Sequence, residues 1–239
     1  MLGVAKKISG DLKKDFFEKD VWKKFGYACG IDEVGRGSLC GPLVVSAVVL
    51  PQNTYNPLLM DSKVLTEYER EQAYEWIVSN CIYTVTFASA EEIDNYNIYR
   101  ATLRMMKQSC IQVFELANSL RRKCCYILVD AMPLHLRNVC ANDDLKIYYF
   151  NKGESKSSSI AAASIIAKVT RDRLMKKIDN YFPQFYVGQN KGYATKKHID
   201  VLQMFGLSLI HRVTFVKNFI KKDKSVSRQQ SIATFCRNC

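Results

Sequence analysis

Apolar positions in this chain fall into short dense runs separated by longer stretches of helical period. Phe25 to Asp32 reads as a strand that ends on an acid pair. Leu43–Leu50, LVVSAVVL, is a valine-rich run stopped by Pro51, the pattern of a buried strand. Cys81–Ala88, CIYTVTFA, alternates β-branched and aromatic residues with others and predicts a third strand. Tyr126–Val129 stops on Asp130, and Lys146–Phe150 is a further strand candidate. Between these runs, Thr66-Glu67-Tyr68-Glu69 has capping-box spacing and opens a helix to about Ser79. Glu91 to about Leu120 is helical, with Ile98, Leu103, Met106, Ile111, Phe114 and Leu116 among its apolar positions. Ser159–Tyr181 is the strongest helix, helped by Ala161-Ala162-Ala163, and Thr195–Phe205 is another. The succession predicts an α/β fold, a mixed sheet covered by helices. Residues 1–26 read as a basic lead-in, 27–220 as one domain and 221–239 as a basic mobile tail.

Charge narrows the partners. The 239 residues carry 35 Lys and Arg against 23 Asp and Glu, a net +12, and residues 212–239 alone supply +6 of it. Such a balance favours a polyanion, either nucleic acid or an anionic membrane surface, with simple solubility as the bland alternative. An apolar content of 48% excludes global disorder. No run approaches the ~20 apolar residues a bilayer span needs, and the first residues lack a signal-peptide core, so a cytoplasmic protein is expected. Nine cysteines, an odd number, fit that expectation. Cys29, Cys40, Cys81, Cys110 and Cys140 sit singly in apolar segments, as small core residues do. Cys236-x-x-Cys239 lacks a second ligand pair, and His135, His198 and His211 are scattered, so no structural metal is expected.

The acids carry the chemistry. Asp32-Glu33 and Asp130 end apolar strands, and Glu154 follows another in Lys152-Gly153-Glu154. Carboxylates at strand ends face the crevice where α/β sheets bind ligands. Four of them together would repel unless a cation lay between, and hard ions such as Mg²⁺ or Mn²⁺ suit oxygen donors. Adjacent strand residues face opposite ways, so Asp32 and Glu33 would share one metal only if the chain bent there. Gly35 and Gly37 provide backbone freedom for such a bend and close approach to a ligand, with Arg36 as an anion clamp.

Gly30–Gly37, GIDEVGRG, resembles the signature of the type 2 ribonucleases H, the ribonuclease HII family. The likeness continues through Asp61–Leu65 (DSKVL), Ile127–Met132, Lys152–Ser155, Ser159–Asp172, Phe182-Pro183-Gln184, Lys191-Gly192-Tyr193 and Phe205-Gly206 to His211-Arg212. It implies a ribonuclease H-like sheet with a C-terminal helical extension closing over substrate. The implied activity is cleavage of the RNA strand of RNA–DNA hybrids and nicking 5′ of single ribonucleotides in duplex DNA, leaving 3′-hydroxyl and 5′-phosphate. Asp32, Glu33, Asp130 and Glu154 match its catalytic, metal-binding acids, with two Mg²⁺ or Mn²⁺ ions expected when substrate is bound. Gly35, Arg36 and Gly37 match the turn that reads the ribose 2′-hydroxyl, and Tyr193 matches the tyrosine that stacks on the next deoxyribose. Ser62, Lys63, Ser164, Lys168 and Arg171 are the remaining substrate-contact candidates. Ser164, Lys168 and Arg171 fall at i, i+4 and i+7, one helical face. His211 is expected to be structural. The partners implied are hybrid and ribonucleotide-containing duplexes, with no membrane, and the protein is expected to be a monomer.

Several positions depart from that pattern. Glu154 stands where ribonuclease HII has Asp, KGE for KGD, so a ligating carboxylate requires the backbone to sit further back. The type 3 family has a K-A-E-S-like run there, but it carries an N-terminal binding domain, and 31 residues before Asp32 are too few for one. Lys63-Val64 replaces a double lysine, and HRVTF replaces an HRRSF-like ending. A binder that keeps the fold without cleaving, and a resolvase-like nuclease, are the rival readings.

Overall fold

In the computed structural model, residues 5–8, 12–60, 62–136 and 145–220 are described. Asp61 of the DSKVL run, Cys140, the terminal Cys236 and Cys239, and the tail 221–239 lie outside them. The elements in chain order are β1 (Lys6–Lys7), α1 (Phe16–Trp22), β2 (Tyr27–Val34), β3 (Leu43–Val49), α2 (Glu67–Asn80) and β4 (Ile82–Ala88). Then follow α3 (Ala90–Tyr96), α4 (Ile98–Ser119), β5 (Cys124–Asp130), β6 (Lys146–Phe150), α5 (Ser158–Asp179), α6 (Val187–Asn190), α7 (Lys196–Phe205) and α8 (Val213–Val216). The capping box at Thr66 is present in both halves, Thr66 to the Glu69 N–H and Glu69 back to the Thr66 N–H. The single helix expected over 91–120 is two, because Asn97 adopts φ 63°, outside helical space, between α3 and α4.

The chain divides into two compact units. Of the described residues, the first unit takes those up to 34, those of 44–87 and those of 102–169; the second takes 35–43, 88–101 and 170–220. The first holds the mixed six-stranded sheet, in order β1-β6-β5-β2-β3-β4. β1, β6, β5 and β2 run parallel to one another, and β3 lies antiparallel to β2. β3 is buried at every position, which is why its sequence reads as continuous valine and not as an alternation. Ala161, Ala162 and Ala163 are fully buried in close packing. A Cβ on Gly30 would overlap the Ser159 backbone, so glycine on β2 is what lets α5 approach the sheet.

Two features of residues 1–26 were not visible as pattern. The two-residue strand β1 adds an edge beside β6. Helix α1 buries Val21 and Trp22 in the sheet core. It also caps the start of α5: Asp15 accepts from the Ser158 N–H at 2.7 Å, and Glu18 accepts from the Ser159 N–H at 3.2 Å.

The second unit has its own apolar cluster of Leu39, Cys40, Met175, Phe185, Val187, Leu202 and Val216. Among the described residues no helix is long and apolar enough to cross a membrane.

Candidate active site

Parallel pairing of β2 with β5 ends at Ile31↔Val129, so Asp32 and Asp130 emerge together at the carboxyl ends of two central strands. The bend expected at the acid pair is absent. β2 stays extended and paired with β3 through Asp32↔Ser46, Glu33↔Val45 and Val34↔Val44, and the backbone turns only at Gly35, φ 91°. The unbroken register with a buried β3 holds the acids straight.

Asp130 is fixed from the neighbouring strand. The Gly153 N–H donates to its Oδ1 at 2.7 Å, from a 3-10 turn spanning Gly153–Ser155 that follows β6. A Cβ at position 153 would lie 3.1 Å from that oxygen and 2.7 Å from Ile160 Cδ1, so a larger residue there would have to push both side chains aside. Glu154, next in the turn, is only 3% exposed. Its Oε1 accepts from Ser164 and, at 3.4 Å, from Ser62, and its Oε2 pairs with Lys63 at 3.2 Å.

Asp32 is 5% exposed and is the electrostatic centre of the group. Burial pushes its carboxyl well above the ordinary range, and the charges of Glu33, Asp130 and Glu154 add to that push. A carboxyl destabilised as an anion by three like charges gains most from a cation placed among them. The four acids offer hard oxygen donors only, which fits a divalent ion of the Mg²⁺ or Mn²⁺ kind.

The expected substrate contacts divide. Ser62 and Ser164 turn their hydroxyls to each other at 2.9 Å and to Glu154, so they orient a carboxylate, which the sequence did not indicate. Lys63 is exposed except where it meets Glu154, and Lys168 is half-buried.

Arg171 is a correction. Its side chain is fully buried (0% exposed), not displayed on a phosphate-tracking face with Ser164 and Lys168. Within the second unit its Nε donates to Pro42 O at 2.9 Å, Nη1 to Lys191 O at 2.8 Å, and Nη2 to Ser38 Oγ and Cys40 O. Arg212, also fully buried, donates to Gly41 O and Arg36 O. Both guanidiniums therefore hold the 35–42 loop by its backbone. No short-range signal marks this, because the partners lie more than a hundred residues away for most of these bonds. Gly37 is exposed on that loop, and a Cβ there would meet nothing within 4 Å. Tyr193 is 39% exposed, its ring 5.8 Å from the Arg171 guanidinium.

The protein-family model for Ribonuclease HII matches residues 29–218. The chain belongs to the ribonuclease HII family. Its relatives of that name include one from Rickettsia bellii, 44% identical over 192 residues that cover 80% of this chain and 91% of the relative. Another, from Caldanaerobacter subterraneus subsp. tengcongensis, is 40% identical over 86% of this chain and 81% of its own length. With this family and fold the chain is a ribonuclease H endonuclease.

Solved structures agree on the architecture. The RNase HII in a PCNA:RNase HII complex from Archaeoglobus fulgidus superposes with a TM-score of 0.57 at 27% identity, covering 78% of this chain and 93% of that one. The ribonuclease H2 of Pyrococcus horikoshii gives 0.61 at 24% identity over 89% and 100%. Bst-RNase HIII in complex with Mn²⁺ gives 0.65 at 17% over 96% and 76%, a likeness of fold.

Proposed function

We propose that this ribonuclease HII hydrolyses the RNA strand of RNA–DNA hybrids and also nicks duplex DNA on the 5′ side of a single ribonucleotide, leaving 3′-hydroxyl and 5′-phosphate ends. The observation that carries the reading is the buried carboxyl of Asp32 beside Asp130 where two parallel strands end, with buried Glu154 in the turn that fixes Asp130. A protein that only bound phosphates would gain nothing from buried negative charge.

Asp32, Asp130 and Glu154 would hold one divalent ion, and Glu33, which faces the other way on the extended strand, would serve a second. When bound, such ions supply positive charge at the scissile phosphate and acidify an attacking water. The chain's own groups do the positioning. The Gly153 N–H fixes Asp130, and Ser62, Ser164 and Lys63 aim Glu154, whose longer side chain is thereby ordered. The exposed backbone of Gly37, two residues beyond Gly35, supports the reading that this turn approaches the ribose 2′-hydroxyl, the group that separates RNA from DNA. Tyr193, partly exposed, is assigned to stacking on the following deoxyribose.

The test is a labelled DNA duplex carrying one ribonucleotide, incubated with Mg²⁺ or Mn²⁺ and resolved at single-nucleotide spacing beside all-DNA and RNA–DNA hybrid controls. A metal-dependent nick 5′ of the ribonucleotide, absent from all-DNA and from the Asp130→Asn variant, is the expected result. Cutting of the long hybrid alone would move the specificity to the type 3 kind. Tight binding without cutting would make the chain a binder.

A further inference from the structure

The second unit buries a donor set of a different chemical character. Cys40, His198 and His211 are each 0% exposed, and one ligand atom from each lies within 4.8 Å of the others. His198 Nε2 is 3.1 Å from His211 Nε2 and 4.0 Å from Cys40 Sγ. Around a tetrahedral zinc ion, two imidazole nitrogens stand about 3.3 Å apart, and nitrogen and thiolate sulfur about 3.6 Å. The two separations that involve His198 are therefore within about half an ångström of ligating geometry, and the third pair, Cys40 and His211, lies within 4.8 Å.

We propose that Cys40, His198 and His211 form a binding site for one thiophilic transition-metal ion of the zinc kind, separate from the carboxylates. Hard Mg²⁺ and Mn²⁺ would not select thiolate and imidazole, and a soft or borderline ion would.

The proton positions show how the site would load. His198 Nδ1 lies 2.9 Å from Tyr193 O, which only accepts, so Nδ1 carries the proton and Nε2 presents a lone pair. A ligating histidine is usually oriented by such a bond to a carbonyl. His211 Nδ1 accepts from the Ser208 N–H at 3.1 Å, so its proton is on Nε2, where it donates to His198. When the ion enters, that proton moves to Nδ1, where Ser208 Oγ at 2.8 Å can accept it, and the Ser208 N–H gives up its bond to Nδ1, a local rearrangement that binding has to offset. The Cys40 thiol loses its proton to solvent as the metal–sulfur bond forms, so one proton is released per ion. Burial holds His211 neutral, with its pKa lowered to about 3, as ligation requires. Burial also pushes the Cys40 thiol up to about 12, while Arg171 and Arg212 favour its thiolate. Free, this cysteine is inert, and a bound cation would change that.

The consequence would be a staple within one unit. It would join the 35–42 loop, helix α7 and the segment that runs into α8, already tied by the Cys40↔His211 bridge. A fourth ligand position would be left to water.

The experiment uses the full chain, stripped with chelator and titrated with Co²⁺ and then Zn²⁺. One equivalent of cobalt should produce thiolate-to-cobalt charge-transfer absorption in the near ultraviolet, and one equivalent of zinc should abolish it. Cobalt on the carboxylates gives no such band, so the two sites are separable. Cys40→Ala should lose the absorption with an unchanged far-ultraviolet circular dichroism spectrum. Cys40→Ser, closer in size and polarity, is the second variant and should lose it too. Absence of the band in the unaltered protein, or its persistence in either variant, would overturn the site.

Discussion

At the residue scale, the carboxylate of Glu154 is gripped on both oxygens, and that grip decides what small changes do. Ser164→Ala removes the strongest donor to Oε1 and leaves a buried acceptor with Ser62 at 3.4 Å. A cost of about 1–3 kcal/mol is expected, read as a lower urea midpoint. The metal concentration for half-maximal hydrolysis should rise with it, because the carboxylate loses its aim. The two glycines of the turn separate folding from recognition. Gly35→Ala forces an L-residue to φ 91° against the Arg171 side chain and should destabilise the fold. Gly37→Ala meets open space and should leave the urea midpoint within about 0.5 kcal/mol. If the turn approaches the 2′-hydroxyl, the same change should slow cleavage at the ribonucleotide; undiminished cleavage would remove Gly37 from recognition. Asp32, Glu33 and Asp130 were legible because each stands as a polar stop on an apolar run. The support that Ser62 and Ser164 give Glu154 was not, because a hydroxyl in a helical run looks the same whether it packs or donates.

At the scale of elements, α5 is anchored by a helix far away in sequence. Asp15→Ala removes the acceptor for the Ser158 N–H and Oγ, an N-cap contact 143 positions apart, and should cost about 1 kcal/mol. Glu18 behaves differently. Its Oε1 accepts from Ser157 Oγ at 2.5 Å, while its Oε2 is buried without a partner. Burial raises its pKa above the ordinary 4.5, opposed by the Ser157 hydrogen bond. The folded state thus holds this proton at pH values where the unfolded chain has released it. Stability from this group is greatest below pH 4.5 and is lost as pH rises through the raised folded value. Glu18→Gln keeps an acceptor for the Ser159 N–H and cannot ionise, so its melting temperature should lose that downward slope. An unchanged slope would assign it to other groups. The central strands and most helices were readable from period and caps. β1 was not, since two lysines carry no pattern, and the cap on α5 was not, because its donor and acceptor share no local signature.

At the scale of the molecule, the hard-ion chemistry and the softer donor set each fall inside one unit, the carboxylates in the first and the cysteine–histidine group in the second. Mg²⁺ should raise the melting temperature of the whole chain by binding the folded carboxylates alone, and Asp130→Asn should abolish most of that rise. The sequence showed the family, the sheet and the acids through short contiguous motifs. It could not show Cys40 beside His198 and His211, which only the folded second unit brings together. Nor could it show that Arg171 and Arg212 are buried with carbonyl acceptors. That last feature sets a rule for substitution. The loop's acceptors are almost all main-chain oxygens, of Arg36, Cys40, Gly41 and Pro42, and any residue can supply an oxygen of that kind. The donors are two planar forks that lysine cannot imitate. In a saturation library, folding should tolerate exchange at the half-buried positions 36 and 42, while positions 171 and 212 admit arginine alone and position 40, packed in the core of the unit, admits only small residues. The loop's shape would then be inherited in large part through residues that lie elsewhere in the chain.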